Sequence, residues 1–196
     1  MKPAQRIPVS MGDPCGIGPD LLLNLHTNRE SHNLPEFFAV GTVSVFERRA
    51  GLLGYKSTIV RGISRLEDWS ENHLNVMDTG AECHGVPSQP ESSDAIAAIT
   101  AINRTVDLAF GMQNPSLVTA PITKSELMAS GFAFPGHTEY LAHLSELKSG
   151  LKAHPVMMLA GPTLRTVPVT IHVPLEAVPQ KLTTDLIIKT RSEEHT

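Results

Sequence analysis

Short apolar runs alternate along this chain with longer stretches in which apolar residues recur every three or four positions. Residues 7–11, 37–40, 58–60 and 74–77 have the length and β-branched or aromatic content of strands, and 117–119, 156–160 and 165–171 repeat the pattern later. Pro168 pushes the last of these towards a sheet edge or a bulge. Helical spacing is seen at 21–25, 43–50 and 182–189. It is clearest at 94–110, where Ile96, Ile99, Ile102, Val106 and Phe110 fall on one face and predict its buried side. Ser92 or Ser93 is placed to cap that helix. The stretch 82–93, with two prolines and three serines, reads as a loop and a mobile excursion. Strands alternating with helices predict an α/β fold, a sheet with helices on both faces.

Composition narrows the class of function without naming it. With 41% hydrophobic and 18% charged residues in 196, the chain can bury a core of ordinary globular character. A net charge of −4 gives no basic footprint, so neither nucleic acid nor an acidic membrane is expected as a partner. No apolar run is long enough to span a bilayer, and the first ten residues lack the apolar core of a signal peptide. Cys15 and Cys83 make no disulfide framework, which predicts a reducing, cytoplasmic setting.

Three segments carry candidate chemistry. The first is MGDPCGIGPD at 11–20, between a strand and a helix. Gly12, Gly16 and Gly18 fit neither the dinucleotide fingerprint nor a P-loop, and Pro19 suits a first helical turn. Such a loop either brings backbone amides close to a ligand or simply makes a tight turn, and spacing does not separate the two. The second is TAPITKSELMASGFAFPGHTEY at 119–140. Lys124 follows a strand end, where open α/β sheets hold ligands, and suits an anion or a proton transfer as well as solvent. The turn Pro135-Gly136 delivers His137, Thr138 and Glu139 in succession. Thr138 is placed to cap a helix beginning near Tyr140, and His137 to grip an oxyanion or lie on the surface. The third is His172, closing the run 169–171 before Pro174, which suits a metal ligand, an acid/base group or a satisfied polar residue.

Together these segments resemble a known family. G-D-P-x-G-I-G-P-D, then T-A-P-I-T-K…G-H-T-E-Y, then V-M-M-L-A…L-R…P-V-T-I-H-V-P-L follow the order and approximate spacing of the 4-hydroxythreonine-4-phosphate dehydrogenases of vitamin B6 biosynthesis. The resemblance runs from about residue 7 to about residue 188. It implies a three-layer α/β/α fold like that of isocitrate and isopropylmalate dehydrogenases, two-lobed at full length. It implies a homodimer with its active site between lobes, and oxidation of 4-phosphohydroxy-L-threonine by NAD or NADP to a 3-keto acid that loses carbon dioxide. A divalent cation (Zn, Mg or Co) would polarise the oxygen. By resemblance His172 is one of three metal-binding histidines, His137 and Thr138 contact substrate, and Lys124 lies near the reaction.

The same resemblance sets out a departure. The family's N-P-H-A-G-E-like and Y-H-D-Q-G-like segments, with the other two metal histidines, do not occur in this sequence. Residues 1–190 are therefore expected to be the N-terminal portion of such an enzyme, inactive and poorly soluble by itself. RSEEHT at 191–196, which matches a translated sequencing adapter, is expected to be a non-native tail rather than a frayed end. Two rivals are a related dehydrogenase acting on threonate or erythronate 4-phosphate, and a short non-catalytic binding module. An acyl transfer to phosphate fits G-H-T-E and I-H-V-P-L poorly.

Overall fold

The computed structural model describes residues 6–56 and 59–194. It falls into two compact units, residues 1–133 and 134–196. The first holds a sheet of five strands: β1 (Ile7–Ser10), β2 (Phe37–Gly41), β3 (Val60–Ile63), β4 (Leu74–Asp78) and β5 (Val118–Thr119). Their order is β3-β4-β2-β1-β5 and every pairing is parallel. Helices α1 (Gly18–Thr27), α2 (Val43–Leu52), α3 (Ser92–Phe110) and α4 (Lys124–Ala129) connect and cover it.

Burial shows why these runs became interior strands. In β2, Phe38, Ala39 and Val40 are all sealed from solvent, so both faces of the strand are covered. Phe38 and Val40 pack with Ile63 and Met77, and the half-buried Trp69 lies against that cluster. Ala39 joins a second cluster with Leu22 and Leu23 of α1 and Phe46 of α2. The result is the expected α/β/α layering. The first, second and fourth predicted strands lie where the pattern put them. The third does not: β3 begins at Val60, Ile59 is in a helical turn, and Thr58 lies outside the described residues.

Helix α3 corrects two expectations. Ile102 and Val106 are buried, but Ile96 is 59% and Phe110 40% exposed. The packed face is instead built on Ala95, Ala97, Ala98, Ala101 and Ala109. Alanine has no side chain beyond Cβ, so this face approaches the sheet more closely than an isoleucine face can. Nor does a serine cap the helix. Glu91 holds the cap position, and Asp94, 1% exposed, accepts its N–H at 2.8 Å. The loop ahead of this cap is irregular as expected, but it is tied down. Asp94 also accepts Gly85 N–H at 2.7 Å, Thr42 donates its hydroxyl to Ala81 O at 2.9 Å, and Ser88 N–H reaches Cys15 O at 3.0 Å.

The second unit is described by itself. It contains α5 (His137–Ser149), a two-residue antiparallel pair β6 (Leu159–Ala160) and β7 (Arg165–Thr166), and helices α6 (Val178–Lys181) and α7 (Thr184–Glu194). The strands predicted at 156–160 and 165–171 thus shrink to two residues each, because no sheet flanks them to pair the remaining backbone. Among its described residues only Gly136, Tyr140 and Thr190 are buried. Among the described residues no helix is long and apolar enough to cross a membrane.

One pH effect follows from the first unit. His26, half-buried near the end of α1, has its pKa lowered from 6.5 chiefly by burial, then by Arg29 and His73. In the unfolded chain the imidazole takes up a proton near 6.5, whereas in the folded chain it resists doing so. Folding therefore loses stability as pH falls below 6.5, down to the lowered folded value. The urea midpoint of the first unit is expected to fall over that window, and His26→Gln to flatten the slope; an unchanged slope would refute this.

Candidate functional site

The glycine loop joins β1 to α1, and its glycines are required for identifiable reasons. Gly12 has φ +71°, and a Cβ there would lie 2.3 Å from Pro121 O. At Gly18 a Cβ would fall 2.1 Å from Met11 O. The loop's amides are largely engaged within the protein. Asp13 N–H donates to Pro121 O at 2.9 Å, Gly16 N–H to Asp13 O at 3.1 Å, and Cys15 N–H to Asp13 Oδ1 at 2.8 Å. A loop that has used these three amides is a close-packed turn rather than an amide cradle, and this favours the turn reading that spacing left open.

Two buried groups brace it. Arg49 of α2, 5% exposed, grips the Asp20 carboxylate with Nε and Nη2 and also donates to Gly16 O at 2.7 Å. Cys15, whose Sγ donates to Gln89 O at 3.7 Å, lies near Asp94; burial first, and the Asp94 carboxylate second, push its thiol up to about 12. At neutral pH it is no nucleophile.

The second segment meets this loop at the sheet. Ala120 N–H continues the β1–β5 ladder to Ser10 O at 3.1 Å. In the strand order β1 lies between β2 and β5, so the two loops flank a reversal of strand order, where α/β sheets commonly hold ligands. Lys124 is the first residue of α4, as expected, and is exposed.

His137 and Thr138 open α5, but Thr138 does not cap it. Gly136 is the cap residue, so His137, Thr138 and Glu139 form the first turn. The first amides of this helix have no partner further back within it, and its dipole favours an anion there. Phe134 holds the turn, its ring centroid 4.9 Å from that of Tyr140 and 5.0 Å from that of His143.

His172 does not end a strand. It sits on a bend with φ +55°, a backbone region uncommon for a residue with a side chain, and its imidazole is 73% exposed. Its Nε2 lies 4.0 Å from Glu139 Oε1. The second unit thus brings His172 beside the turn that carries His137 and Thr138. Glu139 is the participant that the sequence did not single out, although its place after G-H-T, in a first helical turn where carboxylates are favoured, was legible. A divalent cation does not fit these donors. Among the described residues no group of three His, Cys, Asp or Glu could hold a metal ion, and His172 with Glu139 makes two.

These features define an α/β protein of parallel-sheet type with candidate residues on strand-end loops and a helix N-terminus. Residues 33–195 match the family model of the pyridoxal phosphate biosynthetic protein PdxA, and the chain belongs to that family. It is 37% identical over 196 aligned positions to a 4-hydroxythreonine-4-phosphate dehydrogenase of Bradyrhizobium diazoefficiens, covering 95% of this chain and 56% of that protein. It is 41% identical to the protein of that name from Maricaulis maris, covering 86% of this chain and 51% of the relative. The crystal structure of a 4-hydroxythreonine-4-phosphate dehydrogenase from Burkholderia phymatum superposes with a TM-score of 0.82 at 27% identity, over 96% of this chain and 56% of that one. The chain spans about half the length of the curated relatives it matches.

Proposed function

We propose that residues 1–190 are the N-terminal portion of an enzyme that oxidises 4-phosphohydroxy-L-threonine with NAD or NADP. The product then decarboxylates on the route to pyridoxal 5'-phosphate. Support comes from family membership and from the names of relatives at 37% and 41% identity. The observation that carries the site is the first turn of α5 with His172 beside it. His137 and Thr138 hold the anionic substrate at that helix start; Lys124, in the other unit, takes its role as a cation or proton-transfer group from the family resemblance alone. With NAD or NADP bound, the nicotinamide would accept the hydride of the carbinol carbon as the hydroxyl gives up its proton, and the keto acid would then release carbon dioxide and take up a proton at carbon. By the family resemblance His172 would be one ligand of a divalent cation, which would need further donors. The working enzyme is a cytoplasmic homodimer.

Because the described residues supply too few donors for the cation, the chain is expected to be inactive by itself. The test mixes purified chain with 4-phosphohydroxy-L-threonine, NAD and Mg²⁺ or Zn²⁺ and follows absorbance of the reduced nicotinamide. No rate above the no-enzyme control is expected, whereas the product of the parent gene, read past codon 190, should turn over. Steady turnover by the 196-residue chain would defeat the fragment reading. A parent-gene product that oxidised only threonate or erythronate 4-phosphate would replace the substrate.

A further inference from the structure

The structure assigns Asp13 to the site as a positioning residue, whose carboxylate holds Thr123 and through it the start of the helix that carries Lys124. The consequence for the reaction rests on the place given to Lys124 above; the tether itself rests on geometry alone.

Asp13 and Thr123 are 110 residues apart in sequence, yet the Thr123 hydroxyl donates to Asp13 Oδ2. The carboxylate is already oriented when it meets that hydroxyl, since Oδ1 accepts Cys15 N–H at 2.8 Å. Asp13's own amide adds a second link to the same segment, to Pro121 O at 2.9 Å. The crossing is close enough that Gly12 leaves no room for a Cβ against Pro121.

What makes the tether consequential is that α4 is otherwise held by one buried side chain, Leu127, packed on Ala95 and Ala98 of α3. The helix has six residues, of which only Leu127 is buried. Thr123 stands at its cap position but makes no side-chain cap within the helix; its hydroxyl is turned across to Asp13 instead. A helix this short has scant stability of its own, so its first residue is placed by what fixes its N-terminal end. The glycine loop thereby acts as a saddle for the Pro121–Lys124 segment, and a close-packed loop suits that task better than an open one.

Amide hydrogen exchange on the 196-residue chain tests this at Leu127, Ser130, Gly131 and Phe132, whose N–H groups bond within or just after α4. A hydrogen bond to a charged group supports roughly tenfold protection, so Thr123→Val and Asp13→Ala should each speed these four amides by about that factor. The double variant should exchange no faster than Asp13→Ala, and Thr123→Ser should restore wild-type protection. Thr123 is exposed, so its variants keep the test available if Asp13→Ala does not fold. Unchanged protection in Thr123→Val, additive effects, or no rescue by serine would overturn the proposal. Titration with inorganic phosphate, followed by the 1H–15N signals of residues 122–126, separates the two claims. If Lys124→Ala leaves the phosphate response intact while the exchange results hold, the role of Lys124 fails and the tether stands. A response weakened in both Lys124→Ala and Thr123→Val, and restored by Thr123→Ser, supports both.

Discussion

Replacing Gly12 by alanine is expected to destabilise the sheet-containing unit by about 3–5 kcal/mol, from the strain of a left-handed backbone and from overpacking together. Neither part is easily relieved. The backbone at Gly12 has φ +71°, and the added methyl would lie 2.3 Å from Pro121 O and 2.9 Å from the carbonyl carbon of Ala120, both backbone atoms of a segment paired to β1. Trp69, the single tryptophan, gives a local readout, because it packs on the Phe38 cluster with the Arg6 guanidinium 4.1 Å above its ring. Its fluorescence in urea should show a lower midpoint with an unchanged slope. Gly54 is the control: its φ is +77° but its Cβ position is open, so Gly54→Ala should show the backbone part alone, about 1–2 kcal/mol. Equal losses at the two positions would mean that the close approach to Pro121 has no energetic weight.

Asp94→Ala should cost about 3 kcal/mol, since it removes a buried carboxylate and strands the two backbone donors it satisfies. Gly85 N–H would lose its acceptor in a place that water reaches poorly, and Glu91 N–H at the exposed cap would lose its acceptor too. The same change should lower the Cys15 pKa from about 12, because the Asp94 carboxylate raises it. Burial, the larger cause, stays. Faster alkylation of Cys15 by iodoacetamide in the folded variant, alongside a reduced urea midpoint, is the expected pair of results. A lowered midpoint with unaltered Cys15 reactivity would break the link between the loop ahead of α3 and the glycine loop.

How far the sequence foretold this molecule depended on which physical effect decided each element. Strands β1, β2 and β4 were legible because strands buried on both faces are mostly apolar, with Ser10 and Asn75 the buried polar exceptions. The length of α3 was legible from its period, but its orientation was not. Hydrophobicity pointed to the isoleucines, while close approach to the sheet selected the alanines. The cap at Glu91 was hidden for a similar reason, since Asp94 turns back on the loop instead of a serine turning forward. The runs around 159 and 165 looked like full strands because apolar content does not reveal whether a partner strand is present. At the candidate site, the first turn of α5 was visible with its cap two residues out of register, Thr138 expected and Gly136 found. The nearness of Glu139 to His172 was not visible at all, because it depends on a left-handed bend that no pattern at 169–174 encodes. The Asp13–Thr123 link is a pairing across 110 positions, and one sequence holds no signal for it.

The scarcity of buried residues beyond residue 133 also bears on the order of events on the ribosome. Every pairing of the parallel sheet lies between residues 7 and 119, so the sheet can close while the later residues are still being synthesised. The second unit has no comparable interior: Leu159 and Leu164, in and beside its only hairpin among the described residues, are 54% and 68% exposed. Emerging chains fold unit by unit, and surface of this kind is what holdase chaperones bind. During translation the first unit should become protease-resistant early, with the second still open to capture, a division of labour in time rather than in space.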